Sequence, residues 1–136
     1  MKLKIGLMIV LILIVSLTAC AGFSQGADLD GTSWVLVSYG GKLPIPGTAP
    51  SLSFEGNQVG GNASCNSFGG DVRISGDRIE FGDLFWTLMA CMDEGIMEQE
   101  QAFMQLLGEA GHFEIRDGQL LITTDTGATL IFDQVD

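Results

Sequence analysis

Residues 112–134 read HFEIRDGQLLITTDTGATLIFDQ, and this stretch decides the fold class of the 136-residue chain. Apolar and polar side chains alternate along it with a period of two, which is typical of strands that have one buried face. Asp117-Gly118 and Thr126-Gly127 interrupt the alternation, and a glycine after a polar residue favours a tight turn between strands. The stretch therefore predicts three antiparallel strands that follow one another as a meander.

The segment before the meander, residues 92–111, changes to a helical period. Its large apolar residues fall on one helical stripe and along its border: Ile96, Phe103, Leu107, Met97 and Met104. Asp93 is a residue type that caps helix N-termini, and Gly108 or Gly111 supplies a C-terminal stop. We predict one helix over residues 93–108, with its apolar stripe packed against the sheet.

Upstream of the helix, the period of two returns. It predicts five more strands, at residues 32–39, 51–54, 58–64, 68–75 and 77–90. In the first strand the alternation places Trp34 inward and Tyr39 on the opposite face, and in the last two strands it places Ile74 and Ile79 inward. Because strands and helices do not alternate, a parallel sheet is not expected. The predicted fold is α+β and mostly antiparallel, a curled barrel-like sheet with one helix packed against it.

The first twenty residues, MKLKIGLMIVLILIVSLTAC, have the layout of a secretory signal. Lys2 and Lys4 precede an apolar run, as in signal peptides, and the run is short beside the roughly 20 residues of a membrane-spanning helix. The run ends in LTAC, which resembles a bacterial lipobox with its cysteine at Cys20. The resemblance implies cleavage before Cys20 and lipidation of that cysteine.

These features predict the organisation and location of the chain. Residues 1–19 are assigned to a lipoprotein signal peptide, residues 20–29 to a flexible tether, and residues 30–136 to one domain. The expected location is the cell envelope, where the lipid anchors the protein to a membrane on its extracytoplasmic side.

The charge balance excludes several classes of partner. Four basic and seventeen acidic residues follow the signal peptide, which gives a formal net charge of −13 at pH 7. Nucleic acid and anionic headgroups would repel such a domain. We therefore expect no nucleic-acid partner, and contact with the membrane through the lipid alone.

The reactive residues of the domain do not form a recognisable catalytic or metal-binding motif. Cys65, Cys91 and His112 match no compact zinc-ligand spacing, and the chain has neither a G-x-S-x-G elbow nor a phosphate-binding G-K-[ST] loop. A Cys–His pair needs a lowered thiol pKa and an oriented base. We predict no catalytic residue, no metal and no cofactor.

Two interpretations of Cys65 and Cys91 stay open at this point. The compartment outside the cytoplasmic membrane permits disulfides, and a bond between the two would close a loop of about 27 residues, worth roughly 3–4 kcal/mol on a loop-entropy model. The alternative is a pair of buried free thiols. The bond requires Cα atoms within about 7 Å, a distance that sequence does not provide.

Four motifs occur in one order along the chain. They are Gly31-Thr32-Ser33-Trp34, then Cys65-Asn66-Ser67-Phe68-Gly69-Gly70 within GNASCNSFGG (61–70), then Thr87-Leu88-Met89-Ala90-Cys91, and finally Glu100, Phe103 and Leu107. Together they resemble the G-T-x-W, C-N-x-F-x-G, T-x-M-A-C and E-x-x-F-x-x-x-L motifs of the META domain family, whose members include HslJ-like proteins. Two departures are Ser64, where the family commonly has glycine, and Asp71, where it commonly has an aromatic residue.

The resemblance implies a small curled antiparallel sheet with a helix packed against it, similar to lipocalin-type barrels, in an exported protein that is often a lipoprotein. It implies structural rather than catalytic roles for the motif residues Asn66, Phe68, Gly70, Thr87, Met89, Glu100 and Phe103. Asn66 is expected to satisfy backbone groups in a turn, and Thr87 and Met89 to flank the second motif strand.

The resulting functional prediction is a non-catalytic cell-envelope lipoprotein, a binding or interaction module in stress or antibiotic tolerance. Its expected partner is a protein or a small apolar ligand. Two alternatives remain: a thiol-dependent enzyme that uses Cys65 or Cys91, and an inhibitor of a secreted enzyme, which the acidic surface would suit if the target is basic.

Overall fold

A computed structural model describes residues 28–136, which form nine strands and one helix. The strands are β1 (Ser33–Tyr39), β2 (Ser51–Glu55), β3 (Gln58–Asn62), β4 (Ser67–Ser75), β5 (Arg78–Phe81), β6 (Phe85–Trp86), β7 (Ala110–Arg116), β8 (Gln119–Thr124) and β9 (Thr129–Val135). The helix α1 spans Ile96–Gly108, between β6 and β7. The assigned signal peptide, the lipidation site Cys20 and most of the tether lie outside the described residues. Within residues 28–136, no helix has the length and apolar character needed to cross a membrane.

All strand pairs are antiparallel, and the sheet closes on itself. The strand order is β3-β2-β1-β9-β8-β7-β5-β4-β6, and β3 also pairs with β4. Eight strands therefore form a barrel, and the two-residue β6 pairs with Phe68 and Gly69 near the start of β4, whereas β5 pairs with residues 72–75. The predicted fold class, a curled antiparallel barrel with one packed helix, is confirmed.

The closure between β5 and β7 is the weakest in the barrel. In the described chain these strands pair only at Arg78 and His112, and α1 packs beside the remaining length of β5. Beyond Arg78, the β5–β6 stretch therefore has a strand on one side and the helix on the other.

The C-terminal meander forms as the sequence predicts. Strands β7, β8 and β9 are neighbours, with Phe113 opposite Ile122 and Ile122 opposite Leu130. These three side chains are buried. Asp117 and Gly118 both have positive φ values, 54° and 78°, which is the backbone of the tight turn that a polar residue followed by glycine favours.

One inward residue of β1 is predicted on the wrong face. Tyr39 is buried in the core, although strict alternation from Trp34 places it outward. The pairing of β1 with β9 shifts register between Leu36, which opposes Phe132, and Ser38, which opposes Ile131. This bulge adds one residue to β1 and reverses the alternation after it, so Tyr39 returns to the inner face.

The buried face of the β4–β5 hairpin is also shorter than predicted, because it does not include Ile74. Ile79 is fully buried, but its cross-strand partner Ile74 is 39% exposed. Ile74 lies next to the last residue of β4, beside the turn at Gly76. Its side chain lies beyond the part of the barrel that the core fills.

The helix begins three residues later than predicted and without the expected cap. Asp93 makes no side-chain cap, and the N-cap residue is Gly95, whose φ is 81°. Gly95 adopts this left-handed backbone at little steric cost, and the turn places the amide of Ile96 3.4 Å from the carbonyl oxygen of Asp93. The predicted end at Gly108 is confirmed.

The core fills the barrel and is closed by the helix. Phe103 of α1 is fully buried, with its ring edge-to-face against Phe68, 6.0 Å between centroids, and against Phe132 at 6.3 Å. Such aromatic pairs contribute about 0.5–1.5 kcal/mol each beyond their buried area. Leu29, assigned to the end of the tether, is also buried in this core.

Candidate functional site

A polar cluster with a buried centre joins the turn before β4 to the more exposed segment before α1. It contains Cys65, Asn66, Thr87, Met89, Cys91 and Glu100, and we call it the motif junction. Its centre is Asn66, which is 1% exposed. The Asn66 Nδ2 group donates to the Met89 carbonyl at 3.2 Å and to Glu100 Oε1 at 2.6 Å, and Oδ1 accepts from the Thr87 hydroxyl and the Met89 amide, both at 2.7 Å.

Glu100 connects the junction to the helix. Its Oε2 atom accepts hydrogen bonds from the backbone amides of Cys65, at 3.0 Å, and Asn66, at 2.7 Å. With the bond from Asn66 Nδ2, this buried carboxylate receives three donors, all from one turn. Hydrogen bonds to a charged acceptor are among the stronger ones in proteins, so α1 is held firmly against the turn.

A second buried amide extends the junction. Gln99 Oε1 accepts from the Ile45 amide at 2.6 Å, and its Nε2 donates to the hydroxyl oxygens of Thr48 and Ser64, both at 2.8 Å. The helix therefore also holds the proline-containing loop over residues 40–50. No buried side-chain nitrogen or oxygen in residues 28–136 lacks a hydrogen-bond partner.

Cys65 and Cys91 form a disulfide in this structure, with Cα atoms 6.0 Å apart. The separation lies within the range that disulfides need. Of the two interpretations left open by the sequence, the bonded pair is the one observed. The bond and Asn66 together attach the segment over residues 87–91 to the turn before β4.

The predicted strand over residues 77–90 is interrupted. Strand β5 ends at Phe81, β6 covers only Phe85–Trp86, and residues 87–92 belong to no strand. Thr87 directly follows β6, and its amide donates to the Ser67 carbonyl at 3.0 Å, whereas Met89 lies two residues further on and borders no strand. The Asn66 side chain takes the place of a neighbouring strand, because it bonds both the amide and the carbonyl of Met89.

Two further motif residues, Phe68 and Gly70, lie on β4, and Gly70 allows residues 83–84 to pass close to this strand. A Cβ atom at Gly70 would lie 2.8 Å from the carbonyl oxygen of Asp83 and 2.8 Å from the Leu84 side chain. Any larger residue at Gly70 would push residues 83–84 away from β4. Phe68, on the same strand, points into the core against Phe103.

Past this crossing, the chain exposes an unusual number of large apolar side chains. Nine such residues are exposed in the described chain, and six lie in residues 85–97, which we call the apolar segment. Their exposed fractions are 70% for Phe85, 45% for Trp86, 91% for Leu88, 56% for Met89, 93% for Met92 and 38% for Met97. Concentrated apolar exposure of this kind marks surfaces that bind partners or ligands.

A groove runs between the apolar segment, the β5–β6 stretch and the helix. It has a volume of about 1090 Å³, and we call it the helix groove. Its apolar lining residues are Phe81, Leu84, Trp86, Met97 and Met104, and its acidic lining residues are Glu80, Asp83, Glu98 and Glu100. No lysine or arginine is among the residues that line it.

His112 is the remaining candidate residue, and its polar neighbours are Asp77 and Arg78 rather than the disulfide cysteines. Its ring nitrogens lie 3.3 Å from Asp77 Oδ2 and 3.2 Å from Arg78 Nη1, on the exposed side of β7. Within residues 28–136, no group of three or more His, Cys, Asp and Glu side chains is arranged to hold a metal ion.

The sequence predicts structural roles for the motif residues, but it predicts neither their contacts in the motif junction nor the helix groove. The motif residues Asn66, Thr87, Met89 and Glu100 are brought together, as a shared structural role implies. The alternation assigned residues 77–90 to a strand, and this hid the exposure of Leu88 and its neighbours. The available signal was the run of large apolar residues from 84 to 92, longer than one strand face requires.

Comparisons with known proteins identify similar chains. The family model of the META domain matches residues 27–136. An NMR structure of a protein from Burkholderia xenovorans is 28% identical with a TM-score of 0.66, and the match covers 79% of this chain and 83% of that one. A second NMR structure is 26% identical with a TM-score of 0.63, over 77% of this chain and 90% of that one. The comparison with curated proteins gave no match.

Proposed function

Because the chain belongs to the META domain family, we propose that it is a non-catalytic binding or interaction module. In this proposal the domain is carried on a lipoprotein of the cell envelope, anchored through Cys20, and supports stress or antibiotic tolerance. The partner is a protein or an apolar ligand that covers the apolar segment.

The observation that carries the proposal is the fixed presentation of the apolar segment. Leu88 and Met92 are almost fully exposed, yet the backbone beside them is held by Asn66 and by the Cys65–Cys91 bond. Exposed apolar side chains on a restrained backbone lose little conformational entropy when a partner binds. Such a surface favours recognition.

The thiol-dependent enzyme is less well supported than the binding module. A thiol nucleophile must be free and ionised, and here Cys65 and Cys91 are bonded to each other. The polar neighbours of His112 are Asp77 and Arg78 rather than either cysteine. An enzyme of this kind would need prior reduction of the bond.

The test is complementation in a strain that lacks the protein. We expect wild-type protein to restore survival of heat and antibiotic stress, and the double variant Leu88→Ser/Met92→Ser to fail because it removes the two most exposed apolar side chains of the segment. The matched control is Leu43→Ser/Val135→Ser, since both residues are exposed apolar side chains outside the segment. Thermal melting of both double variants at the wild-type temperature would show that neither change acts through folding.

The lipid anchor is tested separately. We expect wild-type protein to incorporate labelled fatty acid and to fractionate with membranes, and Cys20→Ser to do neither. Survival restored equally by both double variants would reject the apolar segment as the functional surface. Absence of labelled lipid on the wild-type protein would reject the lipoprotein assignment.

A further inference from the structure

We infer that the helix groove binds a basic peptide segment that carries large apolar side chains, in an extended conformation along the β5–β6 stretch. This inference rests on the proposed function and names the occupant and its location. Three features of the groove support it: its apolar lining, its acidic rim and its unpaired strand edge.

The lining suits apolar side chains of different shapes. Trp86 and Met97 are partly exposed at its surface, and Met104, Phe81 and Leu84 lie deeper. Methionine has an unbranched, polarizable side chain that adapts to irregular partners. A lining of two methionines, two aromatic residues and a leucine therefore favours bulky apolar groups without selecting one shape.

The rim selects the charge of the occupant. Glu80 has a partner, since Arg73 lies 3.5 Å from it, and Glu100 is committed to the motif junction. Asp83 and Glu98 form no ion pair within the described chain, so their charges face the groove unbalanced. The net charge of −13 after the signal peptide adds to the same field, which attracts cationic partners and repels anionic membrane surfaces.

The strand edge favours an extended peptide. Strand β6 is the last in the sheet order, and β5 pairs with β7 only at Arg78 and His112. The stretch from Glu80 to Trp86 thus forms one wall of the groove without a second strand beside it in the described chain. The groove lies between this edge and α1, and a strand edge without a strand partner can accept a further strand through main-chain hydrogen bonds, while pockets hold alternate side chains.

Size and position admit a peptide. The groove volume of about 1090 Å³ is near the upper end of the roughly 300–1,000 Å³ of typical small-molecule pockets. The groove also lies on the surface between helix and sheet rather than inside the barrel, whose interior is filled by core side chains. An extended peptide laid along the wall from Glu80 to Trp86 would advance roughly 3.3 Å per residue and place alternate side chains on one face.

The experiment uses the full chain and a labelled peptide that alternates lysine with leucine or phenylalanine. Two control peptides replace every lysine by glutamate, or every apolar residue by serine. We expect the first peptide to bind, with an affinity that falls as ionic strength rises, and both controls to bind at least about tenfold more weakly. Amide shifts in NMR spectra are expected in residues 80–86 and 97–105.

Matched variants locate the binding. Glu98→Lys is expected to weaken binding about tenfold or more, whereas Glu114→Lys, the same charge change on β7 outside the groove, is expected to have little effect. For the apolar lining, Met97→Ser is compared with Ile74→Ser, because the two side chains are 38% and 39% exposed. Thermal melting identifies any variant that fails to fold. If a variant of one pair does not fold, the comparison within the other pair tests the location of binding.

Several results would overturn the inference. Equal weakening by Glu98→Lys and Glu114→Lys would mean general electrostatic attraction, and amide shifts confined to the barrel exterior would place the peptide elsewhere. Binding of neutral phospholipid vesicles at the groove, without peptide binding, would assign it to a lipid. If no peptide binds but Leu88→Ser/Met92→Ser still abolishes stress survival, the proposed function stands and the occupant named here is wrong.

Discussion

Asn66 uses the full hydrogen-bonding capacity of its side chain. An asparagine amide offers two donor and two acceptor positions, and all four are occupied by Thr87, Met89 and Glu100. These partners lie 21 to 34 residues away along the chain. One buried side chain therefore connects the turn before β4, the apolar segment and the helix.

We predict that Asn66→Ala lowers the free energy of unfolding by about 2–4 kcal/mol, because it removes four hydrogen bonds and leaves the buried Glu100 carboxylate with one donor fewer. Urea denaturation measures this loss. Asn62→Ala is the control, since the Asn62 side chain accepts only one bond, from the Ser64 amide, and its loss should cost about 1 kcal/mol. Hydrogen exchange at the Met89 amide should quicken in Asn66→Ala alone; equal losses in both variants would contradict this role.

Ser64 has a backbone conformation that favours glycine. Its φ is 133°, in the region where a Cβ atom is disfavoured. The serine hydroxyl accepts a hydrogen bond from Gln99 Nε2. Serine at this position therefore adds one contact with the helix, and it has a Cβ atom in a backbone conformation that disfavours one.

We predict that Ser64→Gly is more stable than Ser64→Ala by about 1–2 kcal/mol, because both lose the hydroxyl and only glycine relieves the backbone. Thermal and urea unfolding of the two variants measure the difference. Because both variants lose the hydrogen bond to Gln99, the difference in their stabilities reports the cost of the Ser64 backbone conformation. Equal stabilities would mean that this conformation is not strained.

At the scale of the elements, the disulfide links the β3–β4 turn to the apolar segment beyond the short β4–β6 pairing. Cys65 lies in the turn between β3 and β4, and Cys91 lies between the apolar segment residues Met89 and Met92, four residues before the N-cap of α1. The disulfide attaches to this turn at Cys65, and Glu100 accepts hydrogen bonds from the amides of Cys65 and Asn66 in the same turn. Together they set where the helix begins relative to the barrel.

We predict that reduction of the disulfide lowers the free energy of unfolding by roughly 3–4 kcal/mol, the loop-entropy value for a separation of 26 residues. Denaturation with and without dithiothreitol measures it, and Cys65→Ser/Cys91→Ser serves as the control that dithiothreitol should not affect. In the reduced protein, protease cleavage should increase after Leu88 and Met92. An unchanged denaturation curve on reduction would contradict the prediction.

At the scale of the whole molecule, the position of the groove follows from incomplete closure. The barrel is continuous from β3 through β9 to β7, but β5 reaches β7 at a single residue pair. The helix covers the gap with Phe103 and Leu107 buried in the core. Its other face and the β5–β6 stretch then form the two walls of the helix groove, so the same gap produces both the helix packing and the proposed binding surface.

The sequence by itself determined the local structure and the family. Alternation predicted the antiparallel meander because side chains in a strand point to opposite faces, and helical spacing predicted α1 and its buried Phe103 and Leu107. Four motifs in order were sufficient to identify the META domain, which the family match over residues 27–136 confirms. The strand and helix patterns depend on residues close together in the chain, and each family motif is short, although the four are spread from residue 31 to residue 107.

Only the tertiary structure decided the features that depend on distant neighbours. The bulge that turns Tyr39 inward depends on the register with β9, and the early end of β6 depends on Asn66 replacing a strand partner for Met89. The Cys65–Cys91 distance and the two walls of the groove likewise join segments from separate parts of the chain. Periodicity specifies which face a residue occupies, but it carries no information about which distant segment lies opposite that face.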